Sequence, residues 1–162
     1  FKKYLGLVTQ ERSLFRDLTA AENLDFIAAL KNSGQENIGG LIERLQLGEV
    51  LNQPASSLEA GLYQRLALAC ALTNNPKLLI ADELIGAIDL ESRCIILQEL
   101  KTFLAGGGTC IWAFSSTEFL SHVERVGWLE KGEITFCQPA EALAQWNYRL
   151  HSLDGQSGED NV

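Results

Sequence analysis

No apolar run in this chain approaches the roughly 20 residues that a membrane span needs, so any membrane role must come through a partner. Basic residues are in the minority: 13 Lys and Arg against 21 Asp and Glu give a formal net charge of −8 and a pI near 4.7. That balance argues against nucleic acid or anionic lipid as a direct partner. Cysteine is sparse. Cys70, Cys94, Cys110 and Cys137 are far apart, form no CxxC and have no His at ligand spacing, which argues against zinc. Cys70 and Cys94 fall in apolar helical patterns and Cys110 in an apolar strand, the usage of reduced cysteine in a cytosolic core. No secretory signal is visible, and the first residue is Phe1 rather than Met. What remains is 162 residues, 46% hydrophobic and 21% charged, ordinary values for one soluble globular core.

The most informative stretch follows Pro76. Leu78-Leu79-Ile80-Ala81 runs directly into two carboxylates, Asp82 and Glu83, and Asp89 follows one short turn later. An apolar run without charge suits a central strand of a parallel sheet. The carboxyl end of such a strand opens into the crevice where α/β sheets bind ligands. One carboxylate there suits a magnesium ion and the next a polarised water; a buried strand that merely ends in acidic residues is the plain alternative.

Upstream, Leu5 to Glu11 reads as a short strand that ends at Gln10. The segment Leu14 to Leu24 follows it. Leu58-Glu59-Ala60-Gly61-Leu62 then precedes the helical run Ala67 to Leu72. This order resembles the nucleotide-binding domain of ABC transporters, from about Leu5 to Phe136. Gln10 matches the family's Q-loop, Leu58 to Leu62 its signature motif, Asp82 and Glu83 its Walker B pair, and Asp89 its D-loop.

The resemblance implies an α/β fold: a P-loop NTPase-like three-layer core with a helical subdomain, present in part. It implies ATP and Mg2+ as cofactors, with Glu83 as the catalytic residue that positions the attacking water. Asp82 and Gln10 are then the metal contacts, and Gly61, Asp89 and Ser115 join them around the nucleotide. Integral membrane transporter subunits and a second nucleotide-binding domain are the implied partners, at the cytoplasmic face of the cell membrane. No GxxxxGK[ST] phosphate loop occurs in the sequence. In the family that loop lies upstream of the Q-loop, so the chain reads as the later portion of a longer protein.

Three departures bear on activity. The signature pattern LSGGQ becomes Leu58-Glu59-Ala60-Gly61-Leu62, which replaces the phosphate-facing Ser hydroxyl by a carboxylate. At about 4 Å from a phosphate oxygen, Glu59 would repel it by roughly 4 kcal/mol per unit charge at an effective dielectric of 20. The bland reading of this stretch is the one preferred here: Ser56-x-x-Glu59 is a capping box that starts the next helix. The family's switch His is also missing. Ser115 takes its place, with Ser116 as the next match, and a Ser hydroxyl carries no charge at pH 7. His122 reads as a helical surface position. Finally, Leu84 stands where the family has Pro, and Ile85 to Ile88 replace a small polar run.

Along the chain, residues 1–12 form a basic start and a core strand. Residues 13–72 form a helical subdomain, in which Thr19 and Glu22 have capping-box spacing. Its first helix breaks at Asn32-Ser33-Gly34, and a second runs from near Asn37 to about Leu47. Residues 73–150 alternate strand and helix, with Gly106-Gly107-Gly108 as a helix stop and Lys131-Gly132 as a hairpin turn. Pro139 opens a last helix through Trp146, and 151–162 is expected to be a polar, disordered tail. Two functions fit: an ATP-binding subunit or half of an ABC exporter with a degenerate site, or a catalytically inactive interaction or regulatory module. Asp89 has a local role in either case, as the cap of the helix after it.

Overall fold

A computed structural model describes residues 4–32 and 37–156, with side chains described as far as 151. The basic start at Phe1 to Lys3, the break at Ser33-Gly34 and the last residues of the tail lie outside them. The chain divides into two compact units, Phe1–Phe114 and Ser115–Val162.

The first unit holds three parallel strands in the order β1-β2-β3: β1 (Leu5–Val8), β2 (Leu78–Asp82) and β3 (Thr109–Ala113). Leu7 lies opposite Ile80 and Ile80 opposite Ile111, and β2 is the central strand. Alternation along the strands separates two faces. Val8, Leu79 and Ala81 are buried, whereas Leu7 and Ile111 are 56% and 57% exposed.

The connection from β1 to β2 carries α1 (Ala20–Leu30), α2 (Ile38–Arg44) and α3 (Ala60–Leu72). The expected capping box starts α1: Glu22 N donates to Thr19 Oγ1 at 3.2 Å and Thr19 N to Glu22 Oε2 at 2.8 Å. Asn32, at φ 52°, ends it. One turn into α1, the fully buried Asn23 pins the preceding loop. Its Oδ1 accepts from Phe15 N, and its Nδ2 faces the carbonyls of Phe15, Leu18 and Thr19.

Helix α3 is buried almost all round, from Arg65 to Leu72, as suits a helix that packs against β1, α1, α2 and α4 (Leu90–Ala105). This explains why the helical segment and the strands share one unit, where the sequence reading divided them at residue 72. At Gly6 a Cβ would lie 2.8 Å from Ala71 O, so the glycine lets β1 approach the end of α3. Helix α4 ends as expected, with Gly107 at φ 83°.

The second unit holds a short 3-10 helix over Thr117–His122, the antiparallel hairpin β4 (Val126–Glu130) and β5 (Glu133–Cys137), and α5 (Pro139–Gln156). Lys131 and Gly132 make the hairpin turn with φ 50° and 85°, the left-handed pair of a two-residue loop. Helix α5 continues ten residues past Trp146, so Ser152 to Gln156, read from sequence as disordered tail, are helical. Leu143, Trp146 and Leu150 repeat at helical spacing across that boundary, and one apolar stripe carries the helix on.

Candidate functional site

The candidate carboxylates stand where the strand pattern put them. Asp82 is the last residue of β2, paired with Ala113 of β3, and its side chain is exposed. Glu83 leaves the strand in a left-handed conformation, φ 49°. For a residue with a Cβ this costs about 1–3 kcal/mol and persists only where the surroundings impose it. Here Glu83 N donates to Ala113 O at 2.9 Å, which ties the turn to the neighbouring strand. Leu84 and Ile85, which take the place of the family's Pro and first small polar residue, are fully buried and anchor the turn in the core. Gly86 O then accepts from the Arg93 guanidinium at 2.9 Å, closing the loop onto α4. Sequence spacing gave the carboxylates; the strained turn that aims Glu83 had no signal in it.

Gln10 lies two residues beyond β1, exposed at the same end of the sheet as Asp82. The chain just after it is fastened to the start of α3. Leu14 N donates to the Tyr63 hydroxyl at 2.9 Å, and Arg12 lies over the Tyr63 ring at 4.6 Å while donating to Leu58 O. Ser115 is exposed and belongs to the second unit. His122 is exposed at the end of its 3-10 helix, as expected of a surface position.

The start of α3 corrects one expectation. Ser56 does not cap this helix. It sits in a separate 3-10 turn, Ala55–Ser57, which follows Pro54 and is tied down by Ser56 N donating to Arg16 O at 3.0 Å. Leu58 is extended, and the N-cap is Glu59, whose side chain makes no capping bond. The capping box fails because a long-range backbone bond holds Ser56 elsewhere. The exposed Glu59 carboxylate is therefore at the positive end of the helix, where an anion is favoured and where a second anion meets its charge.

Two candidate residues from different motifs do meet. A Cβ on Gly61 would lie 2.0 Å from Asp89 Oδ2 and 2.2 Å from Ser92 Oγ, so the glycine is a seat for the Asp89 carboxylate. Asp89 caps α4 as expected, Oδ1 accepting from Ser92 N at 2.7 Å. The Ser92 amide, then the Ser92 hydroxyl, hold the Asp89 carboxyl below its usual range, and the charge of Arg65 adds to them. The hydroxyl is near without the alignment of a regular hydrogen bond, and Oγ is left unsatisfied. Sequence reading missed Ser92 and Arg65, although Arg65 stands at Gly61 plus four, on the same helical face.

The residues at β2 fit a shared metal and not a closed cage. Among the described residues no three of His, Cys, Asp and Glu gather to hold an ion. A single exposed carboxylate at a strand end suits Mg2+, which keeps several waters and takes one or two carboxylates beside phosphate oxygens.

The ABC transporter family model matches residues 1–86, just over half of the sequence. The chain belongs to the ABC transporter family. It carries part of that family's P-loop NTPase fold. It is 33% identical over 137 residues, 82% of its own length, to an uncharacterized ABC transporter ATP-binding protein of Methanocaldococcus jannaschii, and spans 61% of that relative. It is 33% identical to the macrolide export ATP-binding/permease protein MacB of Pasteurella multocida, over 81% of this chain and 21% of that one. With the Nod factor export ATP-binding protein I of Sinorhizobium fredii the identity is 33%, over 75% of this chain and 36% of the relative. The chain thus spans less than two thirds of the relatives it resembles. No helix of the described residues is long and apolar enough to cross a membrane.

Proposed function

We propose that the chain is part of an ATP-binding subunit, or half, of an ABC export system, acting at the cytoplasmic face of a membrane through integral membrane subunits. Its relatives include proteins named for macrolide and Nod factor export. The observation that carries the reading is the end of β2, where an exposed Asp82 is followed by Glu83 in a turn held to β3. Asp82 and Gln10 would hold Mg2+, which supplies charge neutralisation for the phosphates of ATP. Glu83 orients the attacking water and accepts its proton. In a dimer of nucleotide-binding domains, Asp89 and Gly61 face the nucleotide shared with the partner, and Ser115 stands in for the switch His. Glu59 at the start of α3 favours a degenerate site, because its carboxylate occupies the end of the helix that would receive phosphate.

The same observation supports the second reading, an inactive interaction or regulatory module. ATP turnover by the full-length protein separates the two. Under the first reading turnover is measurable, and Glu83→Gln removes it by at least about 100-fold, as loss of a general base does. Turnover unchanged in the Gln variant shows Glu83 to be only a strand-end residue. No turnover in the parent protein, but strong ATP-dependent dimerisation once Glu59→Ser, Ala60→Gly, Leu62→Gln and Ser115→His are combined, selects the inactive module.

A further inference from the structure

Arg93 lies in the first turn of α4, and the proposed chemistry gives it no part. Its contacts lead to Glu83. Glu83 sits at φ 49°, a conformation that a residue with a Cβ keeps only where its surroundings impose it. Glu83 N donates to Ala113 O at 2.9 Å, which fixes the start of the turn. Glu83 O accepts from Gly86 N at 3.3 Å, so the placing of Gly86 decides the rest. The Arg93 guanidinium donates to Gly86 O at 2.9 Å. Gly86 also adjoins the carboxylate itself: a Cβ there would lie 3.4 Å from Glu83 Oε2, in ordinary van der Waals contact.

We propose that Arg93 is a positioning residue for Glu83 and acts through Gly86. Its guanidinium holds the carbonyl of the residue against which the Glu83 carboxylate rests, so the start of α4 sets where that carboxylate stands. Arg93 is itself fixed by the helix: its amide donates to Asp89 O at 3.1 Å, and the Asp89 side chain caps the same turn at Ser92 N. Asp89, Arg93, Gly86 and Glu83 therefore form one closed loop, and a shift of Asp89 is carried to Glu83. A Lys at 93 can still donate to a carbonyl, but as a point charge on a flexible stem without the planar fork. The importance of this for turnover rests on the proposed role of Glu83 in orienting the attacking water.

Two readouts on the full-length protein keep the proposal apart from that role. Without nucleotide, carboxyl-carbon NMR follows Glu83 in the parent, in Arg93→Met and in Arg93→Lys. The Glu83 signal should move in the Met variant and return part of the way with Lys. With ATP, Arg93→Met should lower kcat by about 10-fold or more at unchanged KM, and Lys should restore part of it. In a Glu83→Gln background Arg93→Met should cost nothing further, because the carboxylate it positions is gone. An equal loss in both backgrounds overturns the proposal, as does an unmoved Glu83 signal in folded Arg93→Met. A parent protein without turnover removes the ATPase reading, and the NMR comparison then decides on Arg93 alone. Should Arg93→Met fail to fold, Gly86→Ala takes its place. Its methyl group would touch Glu83 Oε2, so the Glu83 signal should move; a signal identical to the parent's shows that the carboxylate does not rest on Gly86, and overturns the proposal.

Discussion

The two units hold the same kind of ion pair in opposite settings. In the first, Arg44 Nε lies 2.7 Å from Glu99 Oε2 and its second nitrogen 3.0 Å from Oε1, with the Glu99 side chain only 3% exposed. In the second, Arg149 grips both oxygens of Glu130, with 42% and 44% of the two side chains exposed. Apolar residues divide in the same way. Leu66, Leu68 and Ala69 of α3 are fully buried, whereas Leu129, Ile134 and Phe136 of the hairpin are mostly exposed. Bidentate geometry alone does not make a pair important. What matters is whether water can replace a lost partner, and that differs between the units.

The sharpest way to break this contrast is to cut each apolar surface by the same amount. Leu66→Ala should cost about 2–5 kcal/mol in urea denaturation, because α3 is packed on several sides and the cavity cannot collapse fully. Leu129→Ala, from a side chain 70% exposed, should stay within about 0.5 kcal/mol of the parent. A comparable loss at the two positions would mean that the hairpin face is covered in solution and that the contrast is false.

The ion pairs come next. Arg44→Met leaves the Glu99 carboxylate buried without its partner, a loss of about 1–3 kcal/mol once the partial exposure of Arg44 is allowed for. Arg149→Met should leave the urea midpoint unmoved, since Glu130 keeps its water. Raised salt should leave the first effect largely intact, as buried pairs are screened little.

What could be read from sequence was local. The apolar run of β2, the Thr19–Glu22 box, the Asp89 cap and the Lys131-Gly132 turn each follow from residues within a few positions of one another, and each is present. The order of motifs around Gln10, Asp82, Glu83 and Asp89 was legible as a family pattern, and family membership followed from it. The failures are long-range. Ser56 has capping-box spacing to Glu59, but its amide is bonded to Arg16 O forty residues away, and Glu59 is left as the cap. Asn23 looks like an ordinary helix residue, although its side chain satisfies the backbone of a loop several residues upstream. Arg65 is a charged residue type, yet it lies in the buried run of α3 and is only 7% exposed.

The smallest effect tests the first unit's ion pair from a neighbouring residue. Gly39 and Gly40 are adjacent in the first turn of α2, and glycine weakens a helix by its backbone freedom. A Cβ at Gly39 would meet nothing within 4 Å, so Gly39→Ala should stabilise by about 0.5 kcal/mol, the low end of the usual range because the first turn is incompletely bonded. A Cβ at Gly40 would lie 2.9 Å from the Arg44 guanidinium, the far end of a flexible side chain. The methyl group need only displace that guanidinium, and the displacement loosens its hold on Glu99. Gly40→Ala should therefore show no gain in the parent protein. With Arg44→Met the obstacle and the ion pair are both gone, and Gly40→Ala should then match the gain of Gly39→Ala. Urea midpoints of the four proteins in this cycle measure the coupling. Equal gains from Gly40→Ala in both backgrounds would show that Arg44 yields freely and that its geometry against Glu99 contributes little beyond charge.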